Sequence, residues 1–211
     1  MTSASVKTYR RAALALQHWL QLTQRHGSLI RAFTGDGQIE AHIHYPQGDL
    51  IDPTSGTQCY YHCHRGDGEH GHLHLFRRTR DDAPLSHLIA ISLDARGMPV
   101  GFFTVNRWVT GDHWLSASQA ADLLPGVSLH QASYDPSVTE WLTHFLHCYR
   151  PVVKQLLLQR DQRIAESGLT ITTALECRSL EVLSRSSIDW AADLALLDNK
   201  HASVLQTKQG P

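Results

Sequence analysis

The chain has 211 residues, of which 42% are hydrophobic and 18% are charged, and its formal net charge is -1. This composition is typical of a globular protein rather than a disordered one. The balanced charge gives no reason to expect nucleic acid or a membrane surface as a partner. Histidine is the unusual residue, with 15 copies. Because neutral imidazole is the commonest protein ligand for metals, this excess is the first indication of function.

Cysteine spacing and hydropathy both favour an intracellular protein. The four cysteines form no C-x-x-C pair, so we expect reduced thiols rather than a disulfide framework. No apolar run approaches the roughly 20 residues that span a bilayer, and the first residues do not resemble a secretory signal. A cytoplasmic location without membrane contact is therefore expected.

The predicted elements begin with a helix and continue with an antiparallel sheet. Residues 6–26 carry apolar side chains at helical spacing, which predicts an amphipathic helix. Within residues 38–109, the first predicted strand covers residues 39–45 and is followed by a long bend rich in proline and glycine. Two strands flank a turn at residues 65–68. The next predicted hairpin pairs residues 86–93 with a strand that begins at Val100 and ends at Arg107.

Residues 116–200 are predicted to be mainly helical. Ser116 can cap a short helix, and Asp135 can cap a long one that reaches residue 164 and is kinked at Pro151. A last helix is expected over residues 189–197. The fold class is therefore α+β: residues 1–211 form a single domain, in which a small antiparallel sheet carries a histidine-rich hairpin and packs with an N-terminal helix and a helical C-terminal region.

The histidines are concentrated on the hairpin between Gln58 and Phe76. If the hairpin is centred near Asp67, residues that lie equally far from Asp67 on the two arms pair with each other. The predicted pairs are Tyr60 with His74, His62 with His72, and His64 with His70. Side chains alternate between the two faces of a strand, so these even-numbered residues share one face, and directly opposed residues are about 4.5–5.5 Å apart. The other face is expected to point into the core and carries Cys59, Tyr61, Cys63, Leu73 and Leu75.

Five histidines at strict alternation favour a metal site over a structural cluster. A lone histidine on a strand is usually a surface residue or a hydrogen-bonded core residue. Five of them on one face would crowd and, when protonated, repel one another. Six of the remaining histidines are interpreted as structural or surface residues: His18, His26, His130, His144, His147 and His201.

Neighbouring residues can complete the site. His44 and His87 lie on the adjacent predicted strands and are predicted to be further metal ligands. Glu69 is a candidate ligand or general acid/base, and Tyr60 is a candidate ligand, hydrogen-bond donor or radical site; both are predicted catalytic residues. The membership of His42 and His113 stays open, and the segment from Asn106 to Trp114 resembles a lid or pocket wall.

The ligand type narrows the metal. Imidazole with an occasional carboxylate suits iron, copper, zinc, nickel or manganese, whereas calcium and magnesium prefer oxygen. More than four histidines exceed one tetrahedral zinc ion, so we expect one or two ions per chain, with iron or copper favoured and zinc or manganese as alternatives. No phosphate-cradling motif is present, and a nucleotide cofactor is not expected.

Two resemblances accompany this pattern. Gly56, His62-x-His64 and Glu69 resemble the first motif of cupins, which supplies three ligands of a single metal ion, but the glycine expected further on is Phe76. The blocks beginning at His44, Tyr60, Glu69, Ser86 and Asn106 (HYPQGD, YYHCH, EHGHLH, SHLIAIS and NRWVTG) are similar to an uncharacterised bacterial domain of unknown function. That resemblance implies no activity. It does imply that these histidines and Glu69 belong to one motif set, although this chain has a shorter hairpin tip and a cysteine at position 63.

Three functions fit these expectations. The first is a non-haem iron or copper redox enzyme that acts on a small molecule. The second is a dinuclear zinc or manganese hydrolase, which would need more carboxylate ligands than the hairpin offers. The third is a metal sensor, storage protein or chaperone, which would have exposed ligands rather than a buried, aromatic-lined site.

Overall fold

The computed structural model describes residues 3–64 and 69–208 and contains seven α-helices and six strands within these ranges. The helices are α1 (Ser3–His26), α2 (Leu29–Thr34), α3 (Arg107–Thr110), α4 (Ala117–Leu123), α5 (Pro136–Ala165), α6 (Ile171–Leu175) and α7 (Trp190–Lys208). The strands are β1 (Tyr45–Asp52), β2 (Thr57–His62), β3 (Gly71–Arg78), β4 (Leu85–Leu93), β5 (Pro99–Val105) and β6 (Val182–Ser187). The predicted α+β class is confirmed.

The six strands form one antiparallel sheet in the order β1-β2-β3-β4-β5-β6. The first five strands follow one another along the chain, and β6 joins the edge next to β5 after the long helix α5. The predicted hairpin of residues 86–93 with 100–107 is present as β4 and β5. The predicted turn at residues 65–68, and with it the hairpin centre near Asp67, lies outside the described residues.

One face of the sheet packs against the helices. The predicted core-facing residues of the first hairpin are almost completely buried, except for the half-buried Cys63, and all contribute to the main hydrophobic core: Cys59, Tyr61, Cys63, Leu73 and Leu75. On this side of the sheet, helices α1 and α5 contact each other through Trp19 and Trp141, whose ring centroids are 5.2 Å apart. Because one face is occupied by this core, the even-numbered side chains of β2 and β3 project from the other face.

The helix boundaries follow the predicted caps. Ser116 accepts a hydrogen bond from the Gln119 N–H, and the Gln119 side chain completes a capping box at α4. Asp135 accepts from the Ser137 N–H at the start of α5, which continues through Pro151. The last helix, α7, is longer than predicted. Across the described residues, none of the helices combines the length and apolar character that a membrane crossing requires.

The predicted strand over residues 39–45 is wrong. The chain turns at His42, whose φ of 66° lies in the left-handed region, and the His42 N–H donates to the Cys63 carbonyl at 3.0 Å. The strand instead begins at Tyr45 and covers the stretch predicted as a bend. Alternating polarity over a few residues did not reveal this backbone reversal, which depends on the contact with Cys63.

Candidate metal centre

The histidines of β2 and β3 face one another as the pattern predicts. The register pairs Tyr60 with His74 and His62 with His72. The His62 and His72 ring centroids are 4.5 Å apart, and the ring of His74 lies 4.8 Å from that of His72. His72 and His74 are each only 1% exposed, His62 is half-buried, and His64 is exposed. The array therefore runs from a buried end to an open end.

Three of these side chains form the group that could hold one ion. A ligand atom from each of His62, His64 and His72 lies within 4.8 Å of the other two. For metal–nitrogen distances of about 2.0–2.1 Å, two ligands of a tetrahedral ion lie about 3.3 Å apart. The three rings need shifts of only about an ångström to reach that spacing. The arrangement is thus close to a metal-binding geometry.

Glu69 fixes the orientation of His72. The His72 Nδ1–H donates to the Glu69 carboxylate at 2.7 Å, because an ionised carboxylate can only accept. The other nitrogen, Nε2, then carries the lone pair and accepts a hydrogen bond of 2.7 Å from the Nε2–H of His62. A carboxylate that holds the outer nitrogen of a ligand histidine is a common support of metal sites. Glu69 is therefore hydrogen-bonded to a candidate ligand, His72.

His87 reaches the same face through a β-bulge. Its Nε2 lies 2.9 Å from Nδ1 of His74, and the residue is only 5% exposed. The register between β3 and β4 shifts after the pair Leu75–Ile89, so that Phe76 faces His87. Without this shift, strict alternation would turn His87 toward the core.

His44 and His42 border the exposed end of the array. The His44 ring stacks on Tyr60 with centroids 3.6 Å apart, and its centroid is 5.7 Å from that of His62. The His42 ring stacks on His64 at 4.9 Å. Both residues are exposed. His44 is therefore adjacent to the candidate site, and His42, whose membership the sequence left open, lies beside it.

His70 does not lie on the histidine face, so its predicted pairing with His64 is wrong. The β2–β3 ladder ends at the pair His62–His72, and Nδ1 of His70 forms a 2.7 Å hydrogen bond with the Tyr61 hydroxyl. Tyr61 belongs to the core side of the sheet. The reason for the difference is that residue 70 precedes the first paired residue of β3, Gly71, so strand alternation no longer governs its direction.

A family profile matches residues 9–188, and its description is Domain of unknown function (DUF6969). The chain belongs to this family. Searches of curated proteins and of solved structures found no match. The resemblance to an uncharacterised family is thereby confirmed.

Burial keeps two of these imidazoles, His62 and His87, neutral. Burial, followed by the neighbouring His72 and His64, lowers the pKa of His62 to about 2. Burial, followed by the charge of Arg160, lowers the pKa of His87 to about 3. A neutral imidazole is the form that binds a metal ion, so neither ring has to lose the second proton of an imidazolium.

Tyr60 is held against the histidines as a neutral phenol. Its ring centroid lies 5.4 Å from the centroids of both His62 and His74, and the residue is 7% exposed. Burial, together with the Asp49 carboxylate, raises the pKa of Tyr60 well above its usual value. The hydroxyl therefore keeps its proton at neutral pH.

Two residues that contact the histidines were not predicted from the sequence. The ring of Phe103 on β5 covers His72 at 5.1 Å, and Asp112 accepts the His87 N–H at 2.7 Å. Phe103 could have been predicted from strand alternation on β5, counted from the turn that follows β4.

The segment predicted as a lid or pocket wall forms α3. It is anchored by Asn106, whose side-chain amide donates to the carbonyls of Ala174 and Leu180. In the same segment, His113 is exposed.

Proposed function

We propose that this protein is a metalloprotein that binds a transition-metal ion through His62, His64 and His72. The observation that carries the proposal is the convergence of three ring nitrogens within 4.8 Å. Two further features support it. The reverse face of the hairpin is buried in the core, which keeps the ligands from drifting apart, and Glu69 orients His72. His44, His74 and His87 would then extend the site as additional or alternating ligands.

We further propose that the ion is iron or copper and that it serves redox chemistry on a small molecule. Imidazole ligands suit both metals, and such an ion would supply one-electron chemistry. Three protein ligands leave coordination positions open, and the exposed side at His64 gives a substrate access. Tyr60 retains its phenolic proton beside the ligands, and in this proposal it donates a hydrogen bond or an electron to the site.

A second candidate function is metal storage or delivery. It is favoured by the exposure of His42, His44 and His64, because ligands at the surface allow an ion to be passed to another protein. The buried half of the array, His72, His74 and His87, favours the redox enzyme instead. The two functions differ in how fast the ion leaves and in whether the bound ion accepts a small molecule.

The test is reconstitution of untagged protein with copper(II), or anaerobically with iron(II), followed by electron paramagnetic resonance. We expect nitrogen-coupled copper(II) spectra in the wild type and in the control His113→Ala, and in His62→Ala/His72→Ala a loss of the component that corresponds to about one copper ion per chain. An unchanged spectrum in the double variant would refute the metal site. For the redox function, nitric oxide should bind the ferrous protein, and the iron should resist a competing chelator for minutes or longer; loss within seconds would favour storage or delivery.

A further inference from the structure

A second group of metal-binding side chains lies on the helices, away from the histidine face. His18 on α1 meets Glu140 and His144 on α5, and each of the three offers a ligand atom within 4.8 Å of the other two. Glu140 and His144 are four residues apart and so share one face of α5. The sequence pattern had suggested only structural or surface roles for His18 and His144. Both histidines lie on helices, so the alternation of side chains along strands could not predict that they are close together.

The spacing of this group fits adjacent ligands of one ion better than a hydrogen bond. Nε2 of His144 lies 3.6 Å from Oε2 of Glu140, which is too long for a hydrogen bond. Two ligands of a tetrahedral ion with metal–ligand distances of about 2.0–2.1 Å lie about 3.3 Å apart. The Glu140 and His144 atoms therefore stand at nearly the separation that a shared ion requires.

The outer atoms of two of these side chains are already held by neighbours. The Nδ1–H of His18 donates to the side-chain oxygen of Gln21 at 3.0 Å, which leaves the lone pair on Nε2. The Nδ1–H of His130 donates to Oε1 of Glu140 at 2.6 Å, which leaves Oε2 directed at His144. Such hydrogen bonds orient ligands and fix their tautomers at known metal sites.

His144 lacks the hydrogen bond that a buried imidazole usually has. Within the described part of the chain, its Nδ1 is buried without a hydrogen-bond partner, and its side chain is 16% exposed. Buried polar groups are nearly always paired. The atom next to Glu140 is the other ring nitrogen, Nε2, so the unpaired Nδ1 is not the nitrogen that would bind the ion.

We propose that His18, Glu140 and His144 form a second metal site, which takes a divalent transition ion such as zinc and fastens α1 to α5. Two imidazoles and one carboxylate are an established ligand set for zinc, whereas magnesium and calcium prefer oxygen ligands alone. The half-buried group leaves a coordination position for water. Because the ligands come from two helices, binding favours the packed state over the unfolded chain.

Cobalt(II) uptake in the His62→Ala/His72→Ala background tests this site independently of the histidine face. We expect that background to bind cobalt(II), with the visible absorption of a tetrahedral ion and a rise in melting temperature. Adding Glu140→Gln, which preserves the shape of the side chain, should weaken binding at least tenfold and abolish the thermal shift. The matched control His113→Ala should change neither result.

Two outcomes would overturn the second site. One is no cobalt uptake by the background variant; the other is uptake and a thermal shift that Glu140→Gln leaves unchanged. His18→Gln removes a ligand from α1 instead and should weaken cobalt binding in the same way. It replaces Glu140→Gln if far-UV circular dichroism shows that Glu140→Gln perturbs α5. Failure of the histidine-face site looks different: the wild type would then bind cobalt only in a Glu140-dependent manner.

Discussion

At the scale of single residues, Glu69 decides which nitrogen of His72 is available to a metal. Its carboxylate receives the Nδ1–H of His72, and the lone pair on Nε2 is thereby directed toward His62. Both groups are shielded, since the side chains of His72 and Glu69 are 1% and 10% exposed. Because the position is shielded, water cannot replace this hydrogen bond without a cost in free energy.

Glu69→Gln should weaken metal binding while leaving the fold intact. The amide can present its NH₂ group to Nδ1 and so favour the wrong tautomer of His72, and we expect a 10- to 100-fold loss of affinity. The measurement is a competition titration against a chromogenic chelator. Glu166→Gln, at the end of α5, serves as the control and should bind like the wild type. Equal affinities for the two variants would show that Glu69 does not support the site.

At the scale of elements, the first hairpin depends on the absence of a side chain at Gly71. A Cβ atom there would lie 2.3 Å from the Tyr61 hydroxyl and 2.7 Å from the His62 carbonyl, so the start of β3 would have to move away from β2. Such a movement separates His62 from His72, the two proposed ligands that face each other across the hairpin.

Gly71→Ala should therefore reduce both stability and metal affinity. We expect a loss of about 1–3 kcal/mol in the free energy of unfolding, as for other overpacked sites, together with weaker metal binding. Urea denaturation and metal titration measure the two effects. Gly37→Ala is the matched control, because a Cβ atom at Gly37 meets nothing within 4 Å. Wild-type behaviour of Gly71→Ala would contradict this account of the hairpin.

The elements also show how far the sequence alone can be used. Alternation correctly predicted the face shared by Tyr60, His62, His72 and His74, since both arms are regular strands there. It failed at His70, which lies beyond the ladder. It could not place His87, because the bulge after Leu75 changes the parity of β4 and depends on pairing between strands rather than on local pattern.

Helix α5 depends on its cap at Asp135. Partial burial raises the pKa of this carboxyl, but hydrogen bonds from Ser137, His26 and Arg25 outweigh burial, and the pKa lies well below its usual value. Since the folded-state pKa is depressed, the carboxylate contributes stability that is present above about pH 4. That contribution is lost as the pH falls toward the folded-state pKa.

Asp135→Asn should isolate this charge, because asparagine is also a good N-cap. We expect the wild type to be more stable than the variant at pH 7 and the difference in unfolding free energy to shrink as the pH is lowered below about 4. Asp135→Ala should cost about 0.5–2 kcal/mol through loss of the cap. Denaturation curves measured across this pH range provide the test. A difference that grows on acidification would contradict the depressed pKa.

At the scale of the whole molecule, the sheet separates two chemically different surfaces. Its core face packs on α1 and α5, and the other face carries the histidines. The sequence indicated the first hairpin, the second hairpin and the long helices, since each has a local pattern. It did not indicate β6, which pairs with β5 only after 76 intervening residues between Val105 and Val182. Pairing over such a separation has no local signature.

Metal binding should stabilise the whole molecule, because ligands brought together only by folding favour the folded state. At a free metal concentration 100 times the dissociation constant, the stabilisation is about 2.7 kcal/mol, which corresponds to a rise of roughly 5–11 °C in Tm. Differential scanning calorimetry with and without a chelator measures the shift. An identical Tm under both conditions would argue against a metal site in the folded protein.

The central claim, that His62, His64 and His72 hold a transition metal, is tested most directly by metal content. Untagged wild type, His113→Ala and His62→Ala/His72→Ala should be purified in parallel and their metals counted by mass spectrometry. We predict iron or copper in the first two proteins and a loss of about one equivalent per chain in the double variant. Equal metal content in all three proteins, or none in the wild type after reconstitution, would contradict the account.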